Sequence, residues 1–213
     1  MPSPSFISTL TSIAQIKSAR SSAECASLII PRLYLSDFST VMNEDTMSNL
    51  GVTHVVSVLD WAPEFLASIP TPHRLHISLS DLPTSNILPH LDTTTQFIKE
   101  ALEQNETNIV LVHCFQGVSR SATVVCAYLI ATAGMTAMES ITFVQSKRKI
   151  VSPNNGFRKQ LSLYAAGGAQ GSAVFTVTME ERSSRSADDI DQAAERVVQE
   201  TKVIIGTSSE SPL

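Results

Sequence analysis

The sequence predicts an α/β fold in which a compact, central, mostly parallel sheet is flanked by helices. Short β-branched or apolar runs alternate with segments of helical period, the pattern of strands joined by helical crossovers. The run from Asn108 to Val112 is apolar almost without interruption, as expected of a strand covered on both faces. The length of 213 residues, with 43% hydrophobic and 16% charged, suits one ordinary domain with a buried core and falls short of two large ones. That balance disfavours wholesale disorder, collagen-like repeats and a coiled-coil rod.

Phe6, Leu10, Ile13 and Ile16 recur at helical spacing, so residues 1–27 are expected to be an extension carrying a short amphipathic helix. Leu28 to Ile30 and Leu33 to Leu35 read as a strand pair broken by Pro31. Asn43 to Leu50 follows as a short helix closed by Gly51, and Thr53 to Leu59 as a buried β-branched strand. Arg74 to Leu79 is a further short strand, leading into a polar loop with Asp81, Pro83 and Asn86. Leu88, Leu91, Thr95, Ile98 and Leu102 then mark an amphipathic helix that ends near Asn105. After the strand over 108–112, a glycine-bearing loop, residues 114–120, runs straight into an apolar helix from Ser121 to Ala133, stopped by Gly134. Two more helices are expected, over about Ala137 to Lys147 and Gly156 to Ala166. The folded domain is thus placed at 28–166. Residues 167–213 open on GGAQGSA and continue rich in Ser, Ala, Asp and Glu, the composition of a flexible tail.

Fifteen Lys and Arg against 20 Asp and Glu give a formal net charge of -5, which argues against nucleic acid or an anionic membrane as a partner. Cys25, Cys114 and Cys126 fit neither a disulfide framework nor a zinc site, and point to a reducing compartment. No apolar run approaches a membrane span, and residues 1–5 lack the basic start of a secretory signal. The expected location is therefore the cytoplasm, with the nucleus as the alternative. The Ser-rich stretch before Glu24, holding Lys17 and Arg20 and no acid, has a faint transit-peptide composition.

The chemistry concentrates in HCFQGVSRS, residues 113–121, between a buried strand and a helix N-terminus. Amides at a helix start have no intrahelical acceptor, and the helix dipole adds positive potential, so a loop curled there suits a phosphate-sized anion. Gly117 lets the backbone curl tightly. Cys114 opens the loop, where the field that holds a phosphate also favours a thiolate. Arg120 returns to the rim with a planar fork matched to two phosphate oxygens. Ser121 begins the helix and is placed to donate its hydroxyl to the sulfur.

HCFQGVSRSATVVCAYLI resembles the signature of the cysteine-based protein tyrosine phosphatases, in which a Cys and an Arg with five residues between them follow a His. GVSRSATVVCAYLI with SPNNGFRKQL, residues 152–161, more narrowly resembles the dual-specificity phosphatases. The resemblance runs from about Leu28 to Leu163. It implies the cysteine-based phosphatase fold and phosphorylated proteins as substrates, carrying phosphotyrosine together with phosphoserine or phosphothreonine. It implies Cys114 as nucleophile, Arg120 and the loop Phe115, Gln116, Gly117, Val118, Ser119 and Arg120 as the phosphate clamp, and Asp81 as general acid and base. Ser121 would assist thiolate departure, His113 and Asn154 would support the loop, and neither a metal nor an organic cofactor is required.

Blander roles stand beside these. Asp60, before Trp61, is a competing carboxylate. Asn154 also suits a helix N-cap, and Cys126, in an apolar helical run, suits the core, with a disulfide to Cys114 as the alternative. Lys147, Arg148 and Lys149 read as a solvated helix end, with contact to a phosphorylated substrate as the alternative. His54, His73, His76 and His90 lack metal-ligand spacing. The short core leaves no evident room for an added aromatic recognition loop, so a shallow pocket is expected. A non-catalytic phosphopeptide-binding module, a relative acting on a non-protein phosphate ester and a sulfurtransferase-like protein remain the rival readings.

Overall fold

The computed structural model describes residues 26–63 and 69–167, and Gln192 alone beyond them. Cys25, the helix expected over residues 6–20 and the tail lie outside the described residues. Within them, strands β1 (Ala26–Ile30), β2 (Leu33–Ser36), β3 (His54–Leu59), β4 (Arg74–Ser78) and β5 (Val110–His113) form one sheet in the order β1-β2-β5-β3-β4. β1 and β2 pair antiparallel, and every other pair is parallel.

The β5 strand lies in the middle of the sheet, and all four of its residues are buried, as its apolar run requires. Alternation along the strands feeds two cores. Val110, Val112, Val56 and Val58 face the larger one, completed by helices α3 (Leu88–Gln104), α4 (Arg120–Ala133), α5 (Ala137–Lys147) and α6 (Asn155–Gly167). Leu111 and Val55 point the other way, into a smaller cluster with Val41, Met47, Val52 and Ile69 under α1 (Phe38–Val41) and α2 (Glu44–Asn49). Helix α4 is buried from Arg120 through Ile130, so its apolar run is core on all sides. Among the described residues no single helix is long and apolar enough to cross a membrane.

Element ends differ from expectation by a residue or two. The ladder of β5 starts at Val110 because the N–H of Asn108 is occupied in bonding Asn105 O, and that of Ile109 in bonding Thr53 Oγ1. It reaches His113 because that residue pairs with both Ser36 and Ser57. The one-turn helix α1 was not expected. Asp37 caps it by accepting Thr40 N–H at 3.1 Å, and four residues are too few to show a period.

Candidate active site

In open parallel sheets the space beyond the carboxyl ends of the strands is where loops converge on a ligand. Here β2, β5, β3 and β4 release into that space Asp37 and Phe38, Cys114 onward, Asp60 and Trp61, and Leu79 to Asp81 respectively. The loop from Cys114 to Ser119 is wound from outside. Three of its carbonyls are claimed by donors of other segments: Phe115 O by Phe38 N–H at 3.1 Å, Gly117 O by Arg148 Nε at 3.1 Å, and Val118 O by Ser152 N–H at 2.8 Å. With those carbonyls held by outside partners, the Gly117 amide reaches Cys114 Sγ at 3.2 Å. Gly117 has φ +66, and a Cβ on it would stand 2.6 Å from Ser36 O. Only glycine satisfies both conditions.

Cys114 is buried at the loop floor, and Ser121 Oγ also donates to its sulfur, at 3.1 Å. Two donors directed at one sulfur suit negative charge there. Arg120, in the first turn of α4, is buried; its Nη1 donates to Leu79 O at 3.0 Å, while its Nε has no hydrogen-bond partner among the described residues. A buried donor left open is costly unless a ligand takes it. Two carboxylates flank this guanidinium. Asp81 Oδ2 lies 3.7 Å from Nε, and Asp60 Oδ1 lies 3.7 Å from Nη1 with half its side chain exposed. Asp81 is the anchored one: its Oδ1 accepts from Ser119 Oγ at 2.7 Å and from Asn154 Nδ2 at 2.8 Å, leaving Oδ2 toward the arginine.

Asn154 is the N-cap considered for it, but its side chain turns to Asp81 and not to the cysteine loop, which only its backbone meets. Its Oδ1 accepts Phe157 N–H at 2.9 Å, capping α6, while its backbone N–H donates to Ser119 Oγ at 3.1 Å and so meets the loop. His113 is fully buried, with Nε2 2.7 Å from Ser57 Oγ and Nδ1 3.4 Å from Cys114 O. Burial pushes it down to about 4, outweighing the upward pull of the Cys114 carbonyl, so the ring is neutral at physiological pH. Cys126 lies in the core, where burial pushes its thiol up to about 12 despite a hydrogen bond with Ser140. Such a group stays a thiol and is poorly suited to resolving a disulfide.

Two features escaped the sequence. The expected solvated end at Lys147, Arg148 and Lys149 is corrected at Arg148, which is 4% exposed and holds the phosphate-sized loop by Gly117 O. A basic run does not say which member turns inward, because the partner lies 31 residues away. Nor was an aromatic wall expected. Phe38, Trp61 and Phe115, from three separate strand-end segments, gather with ring centroids 5.9 to 6.1 Å apart beside Cys114 and Asp60. Trp61 and Phe115 remain partly exposed at 42% and 36%. No added loop was needed to assemble them, so the absence of one in the sequence gave no signal.

Residues 33–166, more than half the chain, match the model of the family described as dual specificity phosphatase, catalytic domain. Human dual specificity protein phosphatase 16 is 38% identical over 136 residues, which are 64% of this chain and 20% of that protein's own length. Dual specificity protein phosphatase 22-B of Danio rerio is 32% identical over 142 residues, 67% of this chain and 75% of the relative. Coverage of the curated relatives thus runs from one fifth to three quarters of their length. Among solved structures, the crystal structure of DUSP15 superposes with a TM-score of 0.65 at 26% identity, covering 82% of this chain and 97% of the other. A human tyrosine phosphatase-like serine/threonine/tyrosine-interacting protein superposes with a TM-score of 0.58 at 30% identity, covering 67% and 97%. The same family is thus reached from sequence, from fold and from a loop wound around a cysteine: the chain belongs to the dual specificity phosphatases, of the cysteine-based protein tyrosine phosphatase superfamily.

Proposed function

We propose that this chain hydrolyses phosphate monoesters on proteins, phosphotyrosine together with phosphoserine or phosphothreonine, through a phosphocysteine on Cys114. The observation that carries this reading is the pair of donors, Gly117 N–H and Ser121 Oγ, on a sulfur at the floor of a loop whose rim holds an open guanidinium N–H beside an anchored carboxyl group.

The reaction runs as two displacements. Cys114 Sγ attacks phosphorus, forming the S–P bond as the ester P–O bond breaks, while Arg120 and the loop amides take the equatorial oxygens and their developing charge. Asp81 gives its proton from Oδ2 to the departing oxygen, which avoids a costly alkoxide or phenoxide. Water then attacks phosphorus and yields its proton to Asp81, while the S–P bond breaks and Ser121 steadies the departing thiolate. Arginine and amides supply the charge neutralisation, so the reading calls for no cofactor. The rings of Phe38, Trp61 and Phe115 support an aryl ester among the substrates. A reducing compartment, cytoplasm or nucleus, suits a nucleophilic thiolate, and 28–166 is the proposed catalytic unit between two extensions.

A binding module is the second reading, favoured by the phosphatase-like interacting protein among the structural neighbours. Hydrolysis of an aryl phosphate in EDTA with reductant separates the two. The enzyme reading expects turnover by the wild type, none by Cys114→Ser, and, on phenyl phosphate with its poor leaving group, a loss of about 10² or more with Asp81→Ala. A folded wild type that binds phosphopeptides and turns over none contradicts it.

A further inference from the structure

The segment that carries Asp81 runs to Ile87 and there becomes helix α3, which begins without a cap of its own. Ile87, at the N-cap position, makes no side-chain bond to the first turn. Early helix amides must find acceptors elsewhere. The acceptor comes from α6: Gln160 Oε1 takes Ile87 N–H at 2.8 Å and Leu88 N–H at 3.0 Å, while Gln160 Nε2 donates to Ser85 O at 2.9 Å. One amide side chain therefore satisfies three backbone groups at the far end of the Asp81 loop.

The near end and the middle are tied to the same helix. Asn154, which caps α6, donates to Asp81 Oδ1 at 2.8 Å. Gly156 lies against the loop so closely that a Cβ there would stand 1.9 Å from Pro83 O. Between these ties the stretch 82–87 contains no helix or strand of its own. One turn bond lies within it, Ser85 N–H to Leu82 O at 2.9 Å, and the rest of its path is set by these ties, while proton transfer tolerates only small errors of placement.

We propose that Gln160 is a positioning residue for proton transfer: by capping α3 from α6 it fixes the 81–87 loop, and with it Asp81 beside Arg120, before substrate arrives. This deepens the phosphatase reading and rests on it. The signature is selective. An ester whose leaving group departs readily needs little protonation, whereas a poor leaving group depends on a well-placed acid.

The test compares kcat/KM of the full chain, Gln160→Ala and Gln160→Glu on 4-nitrophenyl phosphate and on phenyl phosphate, with amide hydrogen exchange at Ile87 and Leu88. Gln160→Ala is expected to lose about tenfold or more on phenyl phosphate, no more than about threefold on the nitrophenyl ester, and to exchange faster at both amides. Gln160→Glu keeps both acceptor bonds and loses the donor to Ser85 O, so it falls between. Equal losses on the two esters, no loss on either, or exchange that does not change would overturn the assignment. A wild type that hydrolyses neither ester brings down the phosphatase reading itself, and faster exchange in Gln160→Ala would then leave a structural tie without a catalytic role.

Discussion

Burial holds the His113 ring neutral in the folded chain down to about pH 4, whereas an unfolded histidine takes up its proton near 6.5. Above pH 6.5 both states are neutral and the residue adds no pH dependence. As pH falls below that value the unfolded state binds the proton first, so stability declines until the folded ring also protonates near pH 4, a loss on the order of 3 kcal/mol. His113→Gln is expected to flatten the urea-denaturation stability profile between pH 6.5 and 4 by that amount. A profile as steep as the wild type's would place the dependence elsewhere. The neutral ring keeps one N–H and one acceptor nitrogen, with Ser57 Oγ on one side and the Cys114 carbonyl on the other.

At the scale of elements, Gly156, in the seam between α6 and the Asp81 loop, leaves less room for a Cβ than Gly117 does. Gly156→Ala must push Pro83 aside, since backbone and not a flexible side chain is what the new methyl meets. The expected result is a stability loss of about 1–3 kcal/mol with a fall in turnover, read by thermal melting and steady-state kinetics. An unchanged melting temperature would show that the seam opens freely. This seam also marks how far the sequence could be read. Cys114, Gly117, Arg120 and Ser121 lie within eight consecutive residues, so their convergence follows from one strand, one loop and one helix start. Asp81 was placed by family resemblance, and its anchoring by Ser119 and Asn154 spans 38 and 73 residues of chain. Arg148 reaches the cysteine loop, and Gln160 the far end of the Asp81 loop, across similarly long stretches of sequence. No local period encodes which polar residue on a helix turns inward, because that depends on how the helices pack.

At the scale of the molecule, the parallel strands β2, β5, β3 and β4 end on one side of the sheet and together supply the cysteine loop, two carboxylates and three rings. The strands themselves were legible from their apolar runs, whereas the aromatic wall appears only when three distant segments meet. Under the proposed phosphatase reading, an aryl group on the substrate would pack against that wall. Trp61→Ala is expected to lower kcat/KM for a phosphotyrosine peptide by about tenfold while leaving a phosphothreonine peptide within about threefold. Equal losses on the two peptides would remove the wall from substrate choice. Beneath all of these lies one claim, that phosphorus bonds to Cys114. The direct measurement is rapid acid quench of the full chain with an aryl phosphate, followed by mass spectrometry of the peptide that holds residues 113–120. The account predicts a phosphate adduct on Cys114 that forms within one turnover, decays with product release and is absent from Cys114→Ser. Turnover with no adduct at any quench time, or an adduct on another residue, would contradict it.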